Sequence, residues 1–206
     1  MNYIYNQGSN PDKPVLLLLH GTGGSEFDLL PLAERIDPEA SVLSVRGNVN
    51  ENGMVRYFKR LRPGVFDEKD LVERTKELYE FLDEAAEEHA FDRRNIVAIG
   101  YSNGANIAGS LLFHYADAFK GAILHHPMVP IHGLTLPALS HSSVLITAGE
   151  NDPICPPEES EELYTLLQEA GAETAIHWEN NGHQLSATEI EAARKWYTDH
   201  SFLATD

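Results

Sequence analysis

The sequence predicts an α/β protein built on a doubly wound, mostly parallel sheet. Short apolar runs alternate with longer helical patterns along all 206 residues, as strand and crossover helix alternate in a parallel sheet. The runs are continuous rather than alternating in polarity, which suits strands covered on both faces. No repeat, low-complexity tract or Pro/Ser-rich linker divides the chain, and its length suits one domain over residues 1–206.

A weak run at residues 3–5 reads as an edge strand. The apolar runs at 15–20, 42–45, 96–100, 122–125, 144–148 and 174–178 read as the main strands. Helical patterns lie between them at about 26–36, 68–89, 103–115, 158–170 and 188–200. In the second, Leu71, Thr75, Leu78, Leu82, Ala86 and His89 share one face, which should pack on the sheet, and Asp70 and Arg74 form an i,i+4 pair. Gly171 stands just past the fourth pattern, where a left-handed residue ends a helix. In such a sheet ligands bind beyond the carboxyl ends of the strands, so functional residues should follow strands directly.

Composition narrows the function classes. The formal charge of −17 repels polyanions and argues against nucleic acid as a partner. Residues 83–88 and 158–162 carry much of that charge and read as solvated helix faces. No stretch approaches the roughly 18 apolar residues of a membrane span, so no integral membrane association is expected. The N-terminus lacks a basic segment followed by an apolar run and cleavage site, and the one cysteine, Cys155, cannot form an internal disulfide; a cytoplasmic location is the expectation.

The chemistry is concentrated after three strands. Gly100-Tyr101-Ser102-Asn103-Gly104 is a G-x-S-x-G motif in strand–turn–helix context. Its glycines let a serine sit on a strained turn with Oγ lifted out of the sheet. A serine hydroxyl is a weak nucleophile and needs an oriented base fixed by a carboxylate, in the chain order Ser, acid, His. The loop after the strand at 144–148 offers Asp152, with Glu150 as competitor. The loop after the strand at 174–178 offers His183 as general base. His125 and His126, ahead of Pro127, read as core or rim histidines rather than metal ligands, since no H-E-x-x-H or H-x-x-E-H spacing accompanies them. No metal and no cofactor are expected. The backbone N–H of Asn103 is the first oxyanion donor by position, and Thr22 in His20-Gly21-Thr22-Gly23-Gly24 is the expected second, with Gly21 allowing close approach. A nucleotide-cradling reading of that loop fails, because Glu26 stands where the third glycine is required.

Together these residues resemble the phospholipase/carboxylesterase family of the α/β-hydrolase fold, which includes acyl-protein thioesterases, and more distantly the dienelactone hydrolases. The match covers His20 to Gly24, Gly100 to Gly104, residues 149–156 and Asn181-Gly182-His183. Through Arg46-Gly47 and Val65-Phe66-Asp67-Glu68 the chain looks most like small bacterial carboxylesterases associated with methylhydroquinone resistance. The resemblance implies a triad of Ser102, Asp152 and His183, whereas dienelactone hydrolases carry a cysteine where Ser102 stands. Cys155 reads as a packed or rim thiol. Residues 125–143 are too few for a cap domain, so a minimal, uncapped hydrolase with an open site is expected. The implied substrate is a small ester, thioester or aryl ester. An acyltransferase or peptidase on the same triad, or a non-catalytic binding protein on this fold, are the alternatives, and homodimerisation is left open.

One stretch is unexpected for so acidic a chain. Arg46, Arg56, Lys59, Arg60 and Arg62 gather with only Glu51 opposing them. At the site rim Arg46, Arg56 and Arg60 would bind an anionic group and Tyr57 and Phe58 would stack on a ring; alternatively the cations pair with acidic helices, notably the one starting at Glu68.

Overall fold

The computed structural model describes residues 1–202. Six strands run parallel: β2 (Val15–Leu19), β3 (Ser41–Val45), β8 (Ile96–Tyr101), β9 (Gly121–His125), β10 (Ser143–Gly149) and β11 (Glu173–Glu179). The edge strand β1 (Tyr3–Asn6) pairs antiparallel with β3, giving the order β1-β3-β2-β8-β9-β10-β11. After the edge strand β1 the chain enters the sheet interior at β2, steps to β3 on one side, and then crosses back to β8 and winds outward to β11 on the other. The carboxyl ends of β2, β8, β9, β10 and β11 thereby meet along one edge.

Alternation within each run divides the apolar residues between two faces. Leu17, Leu19 and Ala98 point to one core with Leu71, Leu78 and Leu82 of α2 (Glu68–His89), Leu111 of α3 (Asn103–His114) and Leu163 and Leu167 of α4 (Pro157–Glu169). Leu16, Leu18, Val97 and Ile99 point to the other, with Leu32 and Ile36 of α1 (Leu30–Ile36) and Ala193 and Trp196 of α5 (Ala187–His200). The continuous apolar strands are thus buried on both sides, as expected.

The second helical pattern has the bounds expected. It starts where the Asp67 side chain accepts from Asp70 N at 3.2 Å and ends at Ala90 in the left-handed region. The Asp70–Arg74 pair forms at 3.5 Å, and Gly171 (φ +95°) closes α4. The first helix differs from expectation: residues 26–29 are turns and α1 begins at Leu30. Pro31 explains this, because proline has no N–H and its ring strikes the carbonyl four residues earlier, so it is tolerated only in a first turn.

Residues 46–67, to which the apolar pattern assigns no element, contain two small hairpins, β4 (Val49–Glu51) with β5 (Met54–Arg56) and β6 (Arg60–Arg62) with β7 (Val65–Phe66). Asn52 and Gly53 both have positive φ (54° and 86°), the backbone of a tight hairpin turn that the Asn-Gly pair favours. Residues 126–142 contain no helix or strand, so the segment after β9 forms no cap. Among the described residues, no helix is long and apolar enough to cross a membrane.

Candidate active site

Three loops at the carboxyl edge bring the predicted triad residues together. Ser102 follows β8 with φ +53° and ψ −113°, a strained conformation for a non-glycine residue. Its two glycines are sterically required. A Cβ on Gly104 would lie 2.0 Å from Leu19 O, and one on Gly100 would lie 2.6 Å from Gly104 O. Ser102 Oγ lies 2.8 Å from His183 Nε2, and His183 Nδ1 lies 2.7 Å from Asp152 Oδ2. Asp152 Oδ1 accepts from Ile154 N and Cys155 N at 2.8 and 2.9 Å. Burial alone would raise the pKa of Asp152, but these backbone donors and His183 outweigh it and hold the carboxyl below its ordinary value. Glu150 is exposed and makes none of these contacts. Tyr101 OH donates to His183 O at 2.5 Å, tying the histidine loop to the serine turn.

The hairpin β4/β5 braces both expected oxyanion donors from one side. Gly23 N donates to Val55 O at 2.8 Å, Arg56 Nη1 to Thr22 Oγ1 at 2.6 Å, and Tyr57 N to Asn103 Oδ1 at 2.7 Å. Three consecutive residues therefore hold the Gly21–Gly24 loop against the start of α3. His20 Nε2 accepts from Gly47 N at 3.0 Å, which leaves its Nδ1 as the protonated nitrogen, 2.7 Å from Gly21 O. Burial pushes the pKa of His20 down, in keeping with that neutral tautomer.

A cavity of about 320 Å³ opens over Ser102, lined by Thr22, Asn103 and His183 among others, with Arg56, Arg60 and Phe66 along the hairpin wall. Gly21 is not part of the lining: it packs on Tyr101, whose ring a Cβ there would meet at 2.8 Å. Arg46 also lies away from it, paired with Glu26 at 2.6 Å. Tyr57 and Phe58 do not offer the stacking surface expected of them. Tyr57 is buried because its hydroxyl donates to Val45 O and accepts from His20 N, and Phe58 packs edge-on against Phe66. The rings that line the cavity are Phe66 and Tyr101. Of the basic stretch, Arg56 and Arg60 share Glu51 at 3.5 and 3.2 Å, and Lys59 reaches Asp70 of α2 at 4.0 Å. Two cations facing one carboxylate leave a net positive wall beside Ser102.

Cys155 is buried, its Sγ donating to His126 O at 3.4 Å, and burial pushes its thiol far up, away from thiolate chemistry. His126 is a site residue that sequence reasoning missed. It is buried, as the core reading had it, but it also meets the acid of the predicted triad: its Nδ1 lies 3.0 Å from Asp152 Oδ2. Among the described residues, the donor cluster with metal-binding geometry is His126, Asp152 and His183. Its atoms are already engaged with one another and with Ser102, so a metal there would have to displace the hydrogen bonds that link them.

A model of the dienelactone hydrolase family matches residues 62–205. MhqD of Bacillus subtilis (strain 168) is 60% identical over 199 residues, 97% of this chain and 98% of its own. The crystal structure of a Bacillus cereus carboxylesterase, 65% identical, superimposes with a TM-score of 0.96 over 97% of this chain and 94% of its own. The structure of YahD with malic acid, 36% identical, superimposes with a TM-score of 0.90 over 96% of this chain and 98% of its own. The fold is that of the α/β-hydrolases, as the sequence motifs implied.

Proposed function

The chain belongs to the dienelactone hydrolase family, and from that premise we propose that it is a serine carboxylesterase acting on small esters through an acyl-serine intermediate. The observation that carries this reading is the continuous hydrogen-bonded chain Ser102–His183–Asp152 opening into a cavity. Neutral His183 takes the Ser102 proton as Oγ attacks the ester carbonyl carbon, and Asp152 fixes the imidazole tautomer and steadies the imidazolium. The N–H groups of Asn103 and Thr22 receive the oxyanion. Collapse breaks the bond to the leaving group, which departs with the proton from His183. Water then enters by the same steps in reverse and frees Ser102.

The cavity is near the small end of ligand sites and suits modest substrates. Arg56 and Arg60 on its wall favour esters bearing an acidic or phenolic group, with Phe66 and Tyr101 as the rings against which an aryl group would rest. That the structure of a relative, YahD, is with malic acid, a dicarboxylic acid, supports the same preference.

The test is a p-nitrophenyl ester series with fluorophosphonate labelling. Wild type should label and turn over. Ser102→Ala should do neither while remaining folded, and Asp152→Asn should lose on the order of 10⁴ in kcat by mis-setting the histidine tautomer. Wild-type turnover by Ser102→Ala, purified free of host esterase, would end the proposal; activity kept in Asp152→Asn but lost in Glu150→Gln would move the acid.

A further inference from the structure

A fully buried second imidazole and a fully buried second carboxylate lie behind the acid of the triad. His126 and Glu189 are both 0% exposed. His126 follows β9, the strand beside β8, and like Ser102 has a φ of +53°. The two strained turns are tied together, since Ser102 N donates to His125 O at 2.9 Å, and His126 N donates to Thr147 O at 2.7 Å. A positive φ at a bulky residue persists only where its surroundings enforce it, which makes this turn a functional candidate.

Both ring nitrogens of His126 face carboxylate oxygens. Nδ1 is 3.0 Å from Asp152 Oδ2, and Nε2 is 3.0 and 3.3 Å from the two oxygens of Glu189. Ionised carboxylates only accept hydrogen bonds, and a neutral imidazole has a single N–H, so satisfying both partners requires the imidazolium. Glu189 is further anchored. It accepts from Ser186 N at 3.2 Å in the capping box of α5 and from Thr147 Oγ1, and His125 Nδ1 lies 3.4 Å away.

We propose that His126, held as an imidazolium by Glu189, is a positioning residue for Asp152. This rests on the serine esterase reading above. With His126 in place, Asp152 receives four donors: His183 and His126 on Oδ2, Ile154 N and Cys155 N on Oδ1. It therefore has no freedom to rotate as His183 gains and loses its proton. The His126 and His183 rings lie 5.2 Å apart, centroid to centroid, and share one oxygen of Asp152. The other groups around His126 are the Tyr101 ring at 6.1 Å, the Cys155 thiol on its carbonyl, and His125, whose Nδ1 is 2.6 Å from Thr147 Oγ1. Burial opposes charge on His126, but Glu189 and then Asp152 outweigh it and raise its pKa. Burial pushes the pKa of His125 down, leaving His126 as the cation of the pair.

Three variants separate positioning from mere packing. His126→Asn keeps a neutral N–H donor toward Asp152, His126→Ala removes it, and Glu189→Gln removes the counter-charge. Nitrogen-15 NMR of histidine-labelled protein near neutral pH should show both His126 ring nitrogens protonated. In ester hydrolysis His126→Asn, which keeps the donor, should hold kcat near the wild-type value. His126→Ala should lose on the order of 10- to 100-fold in kcat with little change in KM. Glu189→Gln should abolish the doubly protonated His126 signature. A singly protonated His126, a wild-type kcat in His126→Ala, or losses that merely follow the unfolded fraction seen by circular dichroism would each overturn the proposal. The NMR measurement needs no substrate, so a doubly protonated His126 in a protein without Ser102-dependent hydrolysis would refute the esterase reading instead.

Discussion

Gly104→Ala tests how closely the serine turn is fitted to its neighbours. A Cβ there would stand 2.0 Å from Leu19 O, 2.4 Å from Leu19 C and 2.6 Å from His20 O, all backbone atoms at the end of β2. No side chain can swing aside. Reaching a normal separation of about 3.5 Å requires the start of α3 to withdraw from β2 by roughly 1.5 Å. That gap lies between Asn103 on α3 and the Gly21–Gly24 loop after β2, so the two expected oxyanion donors separate by a similar amount. A misplacement of about 1 Å costs on the order of 10²-fold in rate, or about 2.7 kcal/mol of barrier. Overpacking of about 2 kcal/mol should also lower Tm by about 4–8 °C in a chain of this size. Gly109→Ala on the same helix is the control, since its Cβ meets only the Pro130 side chain, Cγ at 3.1 Å and Cδ at 3.8 Å, and alanine favours the helix. It should cost far less on both counts. The assays are p-nitrophenyl ester hydrolysis and thermal unfolding. If Gly104→Ala matched Gly109→Ala in both, the steric account of the turn would be wrong.

Acid stability should depend on Glu189. Hydrogen bonds from His125, His126 and Thr147 overcome the effect of burial and hold its carboxyl well below the usual range; its contribution is therefore full above the ordinary value of 4.5 and is lost as pH falls through the depressed one. Urea unfolding across the acid range should show a flatter decline in Glu189→Gln, and parallel curves would refute it. His126 carries the opposite sign: its pKa is raised, so its contribution is full below the ordinary value of 6.5 and fades as pH climbs through the raised one, an alkaline-side slope that His126→Asn should remove. Arg60→Ala should lower kcat/KM for anionic esters more than for neutral ones of equal size, and the difference should shrink in high salt because the Arg60 side chain is 35% exposed; equal losses would make the arginine structural.

Local pattern was enough to read the scaffold and the three residues of the hydrogen-bonded chain. A strand covered on both faces must be a continuous apolar run, and a serine on a tight strand-to-helix turn must be flanked by glycines, so both features are written in consecutive residues. Asp152 and His183 follow strands for the same topological reason. The Asn52-Gly53 dipeptide is a local turn signal of the same kind, between strands only three residues long. What only the tertiary structure decided is which side chains meet across long separations. Arg56, Tyr57 and Phe58 are consecutive, yet Arg56 lines the cavity while Tyr57 is drawn inward by Val45 O and His20 N, partners 12 and 37 residues away. His126 meets Asp152 and Glu189 across 26 and 63 residues. The sequence contains a capping box at Ser186 and Glu189 and two histidines at a strand end, but no periodicity relates them. Their meeting follows from the winding order of the sheet, which sets β9 beside β10 and brings the first turn of α5 beneath both.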